Sequence, residues 1–296
     1  MHTYTDIVAV IVTHNPDPSA LQMLCEGLVS QVGGVVIVDN HSDLSLQPFS
    51  KQWENIELIE SEINHGIAWA QNIGINYATL NNAKYVVLFD QDSIPEKDMA
   101  PLLLKEYLKL TDGGCCVAAV GPNYQNINSS NVNPFVTLSG YRLTRLVQAE
   151  SPVKALFLIS SGCLIPLSVV RDVGLMQKNL FIDYVDVEWC LRAKSKGYDC
   201  YGSVDAKMVH SIGEQAKYFM GRVISLHNSS RYYYLFRNAI LLYKKDYIQR
   251  QFKIADGINL MSKFVVYLII HPNRLAYLKM SAVGIWHGII NKSGRL

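Results

Sequence analysis

Two aspartates, Asp90 and Asp92, flank Gln91 where an apolar run, Tyr85–Phe89, gives way to Ser93-Ile94-Pro95. Carboxylates at i and i+2 with no Lys or Arg beside them repel each other. A hard divalent cation relieves that repulsion, most readily when phosphate oxygens complete its shell. Asp and Ser also favour turns, and for the triplet alone an acidic turn is the simpler explanation. A second acidic group, Asp183, Asp186 and Glu188, surrounds the start of a helical stretch. Asp183 is suited to capping that helix, where negative charge complements the helix dipole. Asp186 and Glu188 point to different faces and should not share a role. One carboxylate facing a cleft, desolvated by Tyr184 and Trp189, would serve as general base for a hydroxyl. His210 closes a strand of mixed polarity. Its neutral imidazole could complete a carboxylate-bound metal, provided that folding carries it to Asp92.

The elements that must position these groups follow a regular plan at first. Ile7–Val12, Val35–Val38, Ile56–Ile59 and Tyr85–Phe89 read as buried strands, each ending in polar residues. Pro18–Ser30 and Gly66–Tyr77 carry helical periodicity, the former opened by proline and followed by Gly33-Gly34. This alternation predicts an α/β fold with a parallel, doubly wound sheet, whose carboxyl edge is the customary place for a ligand. No GxGxxG follows the first strand and no GxxxxGK loop occurs. A bound nucleotide would therefore be held by side chains and a metal rather than by a glycine nest. Met99–Leu110 continues as helix and Val117–Gly121 as a fifth strand, after which the rhythm fails. Asn123–Pro134 reads as a loop, Phe135–Gln148 and Val153–Ile159 as antiparallel strands. Ser168–Val173 and Asp186–Lys196 are expected helices, and Cys200–His210 a strand. Arg231–Ile248, Phe252–Ile270 and Asn273–Ile290 close the chain as helices.

The 296 residues suffice for one large core with an appendage, and 49% hydrophobic against 18% charged residues is globular. The net charge of +2 conceals an asymmetry. Residues 231–296 hold eleven Lys/Arg against two acids, a net +9, which leaves −7 for the preceding chain. Such a tail suits an anionic partner, and Tyr267, Tyr277 and Trp286 among its basic residues suit a membrane interface. An oligomerisation surface, or helices that simply cover the sheet, is the alternative. The six cysteines show no CxxC spacing, and most read as buried thiols in a reducing compartment. With neither a signal-peptide pattern nor an apolar stretch of about 18 residues, the cytoplasm is the expected location.

Several short segments together carry a family resemblance. They are Thr13-His14-Asn15-Pro16, Val38–Ser42 (VDNHS), Asn64–Ile75 (NHGIAWAQNIGI), Phe89–Asp92 (FDQD), Ser160–Pro166 (SSGCLIP), Phe181–Ala193 (FIDYVDVEWCLRA) and Val209–Gly213 (VHSIG). In this order and spacing the chain resembles inverting family-2 glycosyltransferases of the GT-A fold. Within them it is similar to bacterial rhamnosyltransferases of O-antigen and other cell-surface polysaccharides. The likeness spans Ile7 to Gly213 and continues more weakly through Arg231–Tyr234 and Arg237-Asn238. It implies a GT-A domain over residues 1–230 and a basic, amphipathic helical extension over 231–296. Thr13, His14 and Asn15 would line the base pocket, with Asp39 hydrogen-bonded to the pyrimidine. Asn64, Gly66 and Asn72 would shape the nucleotide-sugar pocket. Asp90 would reach the ribose or sugar, and Gln91 occupies the variable middle of the triplet. Asp92 and His210 would ligate Mg2+ or Mn2+, and Asp186 would be the base. Val185 and Glu188 depart from the family's acidic pattern around it, which leaves the supporting acid in doubt. Arg231 or Arg237 would add a phosphate contact, with helix-surface charge as the alternative. The implied donor is dTDP-L-rhamnose, with a UDP-hexose second, and the implied acceptor a lipid-linked saccharide. The protein would work peripherally at the inner face of the plasma membrane, without nucleic acid, with homo-oligomerisation left open. A non-catalytic nucleotide-sugar-binding or scaffolding protein is the competing class.

Overall fold

The computed structural model describes residues 4–126, 133–146, 152–210, 215–219 and 222–296. The first part alternates as expected: β1 (Ile7–Thr13), α1 (Pro18–Leu28), β2 (Gly34–Asp39), the short α2 (Gln47–Ser50), β3 (Ile56–Glu60), α3 (Ile67–Leu80) and β4 (Tyr85–Asp90). These four strands lie parallel in the order β3-β2-β1-β4. Alternate residues of β1 face opposite layers. Val8, Val10 and Val12 pack with Ala70, Ile75 and Ala78 of α3. Ile7, Ala9 and Ile11 pack with Leu21 and Leu24 of α1. A strand covered on both faces must be apolar throughout, which is why IVAVIV shows no alternation. Gly74 lets α3 approach this closely, since a Cβ there would collide with the Val10 side chain.

Four elements follow: β5 (Ser93–Pro95), α4 (Met99–Asp112), β6 (Val117–Asn126), and a hairpin of β7 (Phe135–Ser139) and β8 (Arg142–Leu146). The single strand expected over Phe135–Gln148 is thus two strands turning at Gly140-Tyr141, with Gln148 outside the described residues. The expected loop Asn123–Pro134 is also partly strand, because β6 runs on to Asn126; residues 127–132 lie outside the described residues. Next come β9 (Val153–Ala155), β10 (Cys163–Pro166), α5 (Leu167–Val173), α6 (Val185–Ser195) and β11 (Asp199–His210). The strand expected to end at Ile159 stops at Ala155. The central strand is instead β10, only four residues long, inserted antiparallel between β4 and β6. Full burial of Cys163–Pro166 on both faces explains its position better than any pattern in so short a run.

The sheet order is β3-β2-β1-β4-β10-β6-β11-β5, with β9 also on β11. A small hairpin, β12 (Gln215–Phe219) and β13 (Arg222–Leu226), leads to α7 (Ser229–Tyr243), α8 (Arg250–Ile270) and α9 (Arg274–Ile289). Tyr232, Phe236 and Tyr277 form the buried centre of this helical group, with Phe264 against them. None of the described helices is long and apolar enough to cross a membrane.

Candidate active site

β1, β2 and β4 end side by side, and their last residues meet. Thr13 Oγ1 donates to Asp39 Oδ1 at 2.7 Å, and Ser42 gives the same carboxylate its amide and hydroxyl. Beyond them His14 N donates to Gln91 Oε1 at 2.7 Å, and His14 Nδ1 lies 2.9 Å from the His41 carbonyl. Gln91 therefore ties the loop after β1 to the loop after β4, a role its variable position in the triplet did not suggest. Asn15, at φ 50°, donates its amide to Ser42 Oγ and accepts from Asp43 N. Asn64 accepts from Gly66 N and from Asn40 Nδ2, while Asn40 Oδ1 accepts from His65 N. Gly66 sits at φ 89°, and a Cβ would run into the Phe181 backbone. The chain after β3 is thereby pressed against the segment that precedes α6.

The acidic triplet is completed from the far end of the chain. β5 pairs antiparallel with β11 in a register that sets His210 opposite Ser93. His210 Nδ1 lies 3.4 Å from Asp92 Oδ1 and 3.0 Å from Ser93 Oγ, and Nε2 lies 3.8 Å from Asp90 Oδ2. Ser161 accepts from the Asp90 amide and shares a 2.5 Å hydrogen bond with Ser93. One ligand atom each from Asp90, Asp92 and His210 fall within 4.8 Å of one another. Asp90 Oδ1 is buried without a hydrogen-bond partner. Burial pushes the Asp90 carboxyl above its usual range; the His210 charge opposes that rise and Asp92 adds to it. Two hard oxygen donors, one imidazole and an orphaned carboxylate oxygen suit Mg2+ or Mn2+. Asp90, expected on the ribose side, thus stands with Asp92 and His210.

Asp186 enters from the first turn of α6. Burial raises its carboxyl to about 6, against the 2.8 Å hydrogen bond from Val187 N, and the charges of Asp90 and Asp183 raise it further. The approach to Asp186 is strained: Phe181, Asp183 and Tyr184 have φ of 67°, 63° and 62°. Non-glycine residues in this region each cost about 1–3 kcal/mol and persist only where the surroundings hold them. Asn238 of α7 does so, its buried Nδ2 reaching the carbonyl oxygens of Leu180, Ile182 and Asp183 at 2.8–2.9 Å.

Asp183 does not cap α6. Tyr184 occupies the N-cap without a side-chain bond, and the Asp183 carboxylate turns to Arg231, 3.1 Å from its Nη2. The charges of Asp90 and Asp186, after that of Asp183, favour the Arg231 guanidinium. Arg237 is not placed for that work. It is fully buried, its guanidinium donating to the Asn238 side chain and to the carbonyls of Gly294, Asn179 and Leu180, with Tyr233 and Tyr234 against it. Asn72 is likewise committed, exchanging two 2.9 Å hydrogen bonds with the Met176 backbone. Glu188 is buried, paired with Arg192 at 2.8 Å and accepting from Tyr247.

A sequence model described as glycosyl transferase family 2 matches residues 8–174. Over 293 residues the chain is 32% identical to the dTDP-rhamnosyl transferase RfbF of Shigella flexneri, covering 98% of this chain and 97% of that one. The chain belongs to glycosyl transferase family 2. A second relative of this glycosyltransferase is the low-salt glycan biosynthesis hexosyltransferase Agl10 of Haloferax volcanii, 25% identical over 91% of this chain and 88% of that one. Among solved structures, S. aureus TarS bound to UDP-GlcNAc superposes with a TM-score of 0.62 at 13% identity, over 96% of this chain and 81% of that chain. GalNAc-T7 with UDP, GalNAc and Mn2+ gives 0.59 at 13% identity, over 90% of this chain and 57% of that chain. The α/β fold is the expected GT-A arrangement with C-terminal helices.

The family resemblance pointed to the strand-end residues of this glycosyltransferase, but not to the groups that support them. Ser93, at the start of β5, and Ser161, in the turn before β10, are small polar residues, unremarkable until β5 meets β11. Asn40 was visible only as part of a polar loop. Asn238 carried a signal in its place beside Arg237, though the sequence offered no hint that it grips a strained segment.

Proposed function

We propose that the protein is a divalent-metal-dependent, inverting glycosyltransferase that moves L-rhamnose from dTDP-L-rhamnose to a lipid-linked saccharide in surface-polysaccharide synthesis. The convergence of Asp90, Asp92 and His210 with a carboxyl raised to about 6 carries this reading. The choice of sugar and nucleotide rests on identity to the Shigella dTDP-rhamnosyl transferase.

Asp90, Asp92 and His210 would hold Mg2+ or Mn2+. When bound, the cation supplies Lewis-acid stabilisation to the departing diphosphate. Thr13, His14, Asn15 and Asp39 form the wall against which the thymine would lie, and Asn64 and Gly66 shape the floor beside it. Arg231, anchored by Asp183, offers a further positive charge toward phosphate. Asp186 would take the acceptor hydroxyl's proton as that oxygen attacks the anomeric carbon from the side opposite the diphosphate. The new C–O bond forms as the bond to the diphosphate breaks, inverting the configuration. A base near 6 is ionised at neutral pH and still basic enough to assist.

Residues 231–296 are the helical extension in this reading, docked on the site through Asn238. Ile254, Ile258, Met261, Val265 and Ile269 line one face of α8 and are 37–63% exposed. An apolar stripe on a basic segment suits the membrane interface, which favours peripheral attachment on the cytoplasmic side.

Purified protein with Mn2+ and a panel of nucleotide sugars tests the donor assignment, scored by thermal shift and donor hydrolysis. The largest response should come from dTDP-L-rhamnose. A larger response to a UDP-hexose would favour the second reading, which the hexosyltransferase relative and the UDP-GlcNAc-bound neighbour support. Metal-independent binding without turnover of any donor would favour a non-catalytic binding protein.

A further inference from the structure

A groove of about 1040 Å³ runs between the β7–β8 hairpin and α8. Asp183, Tyr184 and Val187, which flank Asp186 in sequence, line its inner end. Ile258, on the exposed apolar stripe of α8, stands at its outer lip. The groove thus joins residues that flank the candidate base in sequence to a lipid-compatible surface.

Its charges are unbalanced. Both acids that line it are already engaged. Asp183 pairs with Arg231, and Asp256 accepts from the hydroxyls of Tyr184 at 2.7 Å and Tyr243 at 2.6 Å. Three cations, Arg142 and Arg145 of β8 and Lys263 of α8, also line the groove. Among the described residues none of the three side chains forms an ion pair or a hydrogen bond. Protein packed around Lys263 lowers its ammonium below the usual range; Asp256 opposes that fall and Arg145 adds to it. Like charges gathered from two separate elements repel, and an anion between them would relieve the repulsion.

We propose that this groove is the acceptor site and that Arg142, Arg145 and Lys263 hold the phosphate or diphosphate joining the acceptor's saccharide to its hydrocarbon anchor. The proposal rests on the transferase reading above and adds the place and the residues that would bind the second substrate's phosphate. A sugar at the inner end would present its hydroxyl to Asp186. The phosphate would lie between β8 and α8, and the hydrocarbon would leave across Ile258 along the apolar stripe.

Decyl diphosphate is a suitable probe, titrated calorimetrically in the presence of Mn2+ and saturating dTDP so that the donor site is filled. The full-length protein should bind it. The R145Q/K263Q double variant should bind it at least about tenfold more weakly with unchanged dTDP affinity, and the charge-preserving R145K/K263R variant should retain most of the affinity. Flotation with phosphatidylglycerol vesicles separates the acceptor's phosphate from bulk lipid headgroups, and the double variant should float as the native protein does. The groove assignment is overturned if decyl diphosphate does not bind, if its affinity is the same in R145Q/K263Q, or if vesicle binding falls in parallel. Charge-dependent probe binding by a protein that ignores dTDP would leave the groove standing and strike the donor assignment instead.

Discussion

The ends of β1, β2 and β4 and the segment Phe181–Asp186 supply the same site by opposite means. Thr13, Asp39 and Asp90 are the last residues of buried strands, so the sheet itself fixes them. Asp186 follows three left-handed residues, and its position depends on Asn238, which lies on a helix in another part of the chain. The first region is held by paired strands packed on both faces. The second is held by a long-range clamp, so it should be the part of the site most sensitive to remote substitution.

Substitutions can separate the two regions, and the largest effect should come from the second. Asp186→Asn should lower turnover by about 10²–10⁴-fold while dTDP affinity stays within a factor of two or so, because only the proton acceptor is lost. Near-native turnover would remove Asp186 from the chemistry. Asn238→Ala should release the strained segment and reduce kcat by about 10–100-fold, since small misplacements of a reacting group are costly. Donor affinity read by titration should move far less, because the strand ends do not depend on Asn238. Equal losses in kcat and donor affinity would mean that the clamp supports the whole site. A smaller effect is expected with pH. Asp186 works only when ionised and is raised to about 6, so kcat/KM should be flat above that value and fall as pH drops below it, approaching tenfold per unit. An acidic limb near pH 4 would place the base in a wetter setting than the one described. Smallest of all, Asn72→Ala should cost about 1 kcal/mol in unfolding free energy with no change in dTDP affinity, since its side chain serves the Met176 backbone.

The contrast also explains what the sequence could convey. Unbroken apolar runs identified the strands from β1 to β4 and the edge at which Thr13, Asp39 and Asp90 collect, because double burial imposes that composition. β10 escaped notice: four residues are too few for periodicity, and antiparallel insertion depends on which neighbours are already in place. The hairpin turn at Gly140-Tyr141 and the extension of β6 to Asn126 were hidden for similar reasons. For the site, carboxylate spacing identified the Asp90–Asp92 pair, whereas His210 joins it only through the β5–β11 register. Asp183 illustrates a local rule overridden by tertiary structure. An acid before a helix is ordinarily a cap, but here a positive φ turns it toward Arg231, 48 positions away. Arg237 and Asn72 sat in recognisable motifs and proved to be braces, a distinction that only burial and hydrogen-bond partners reveal.

Titration of Mn2+ into the metal-free protein in the presence of dTDP, followed by electron paramagnetic resonance, tests the convergence of β4 and β11 most directly. The geometry predicts one bound Mn2+ per chain, with binding weakened at least about tenfold by Asp92→Asn and by His210→Ala alike. Unchanged Mn2+ affinity in His210→Ala, in a variant that still binds dTDP, would contradict a metal site built from both ends of the chain.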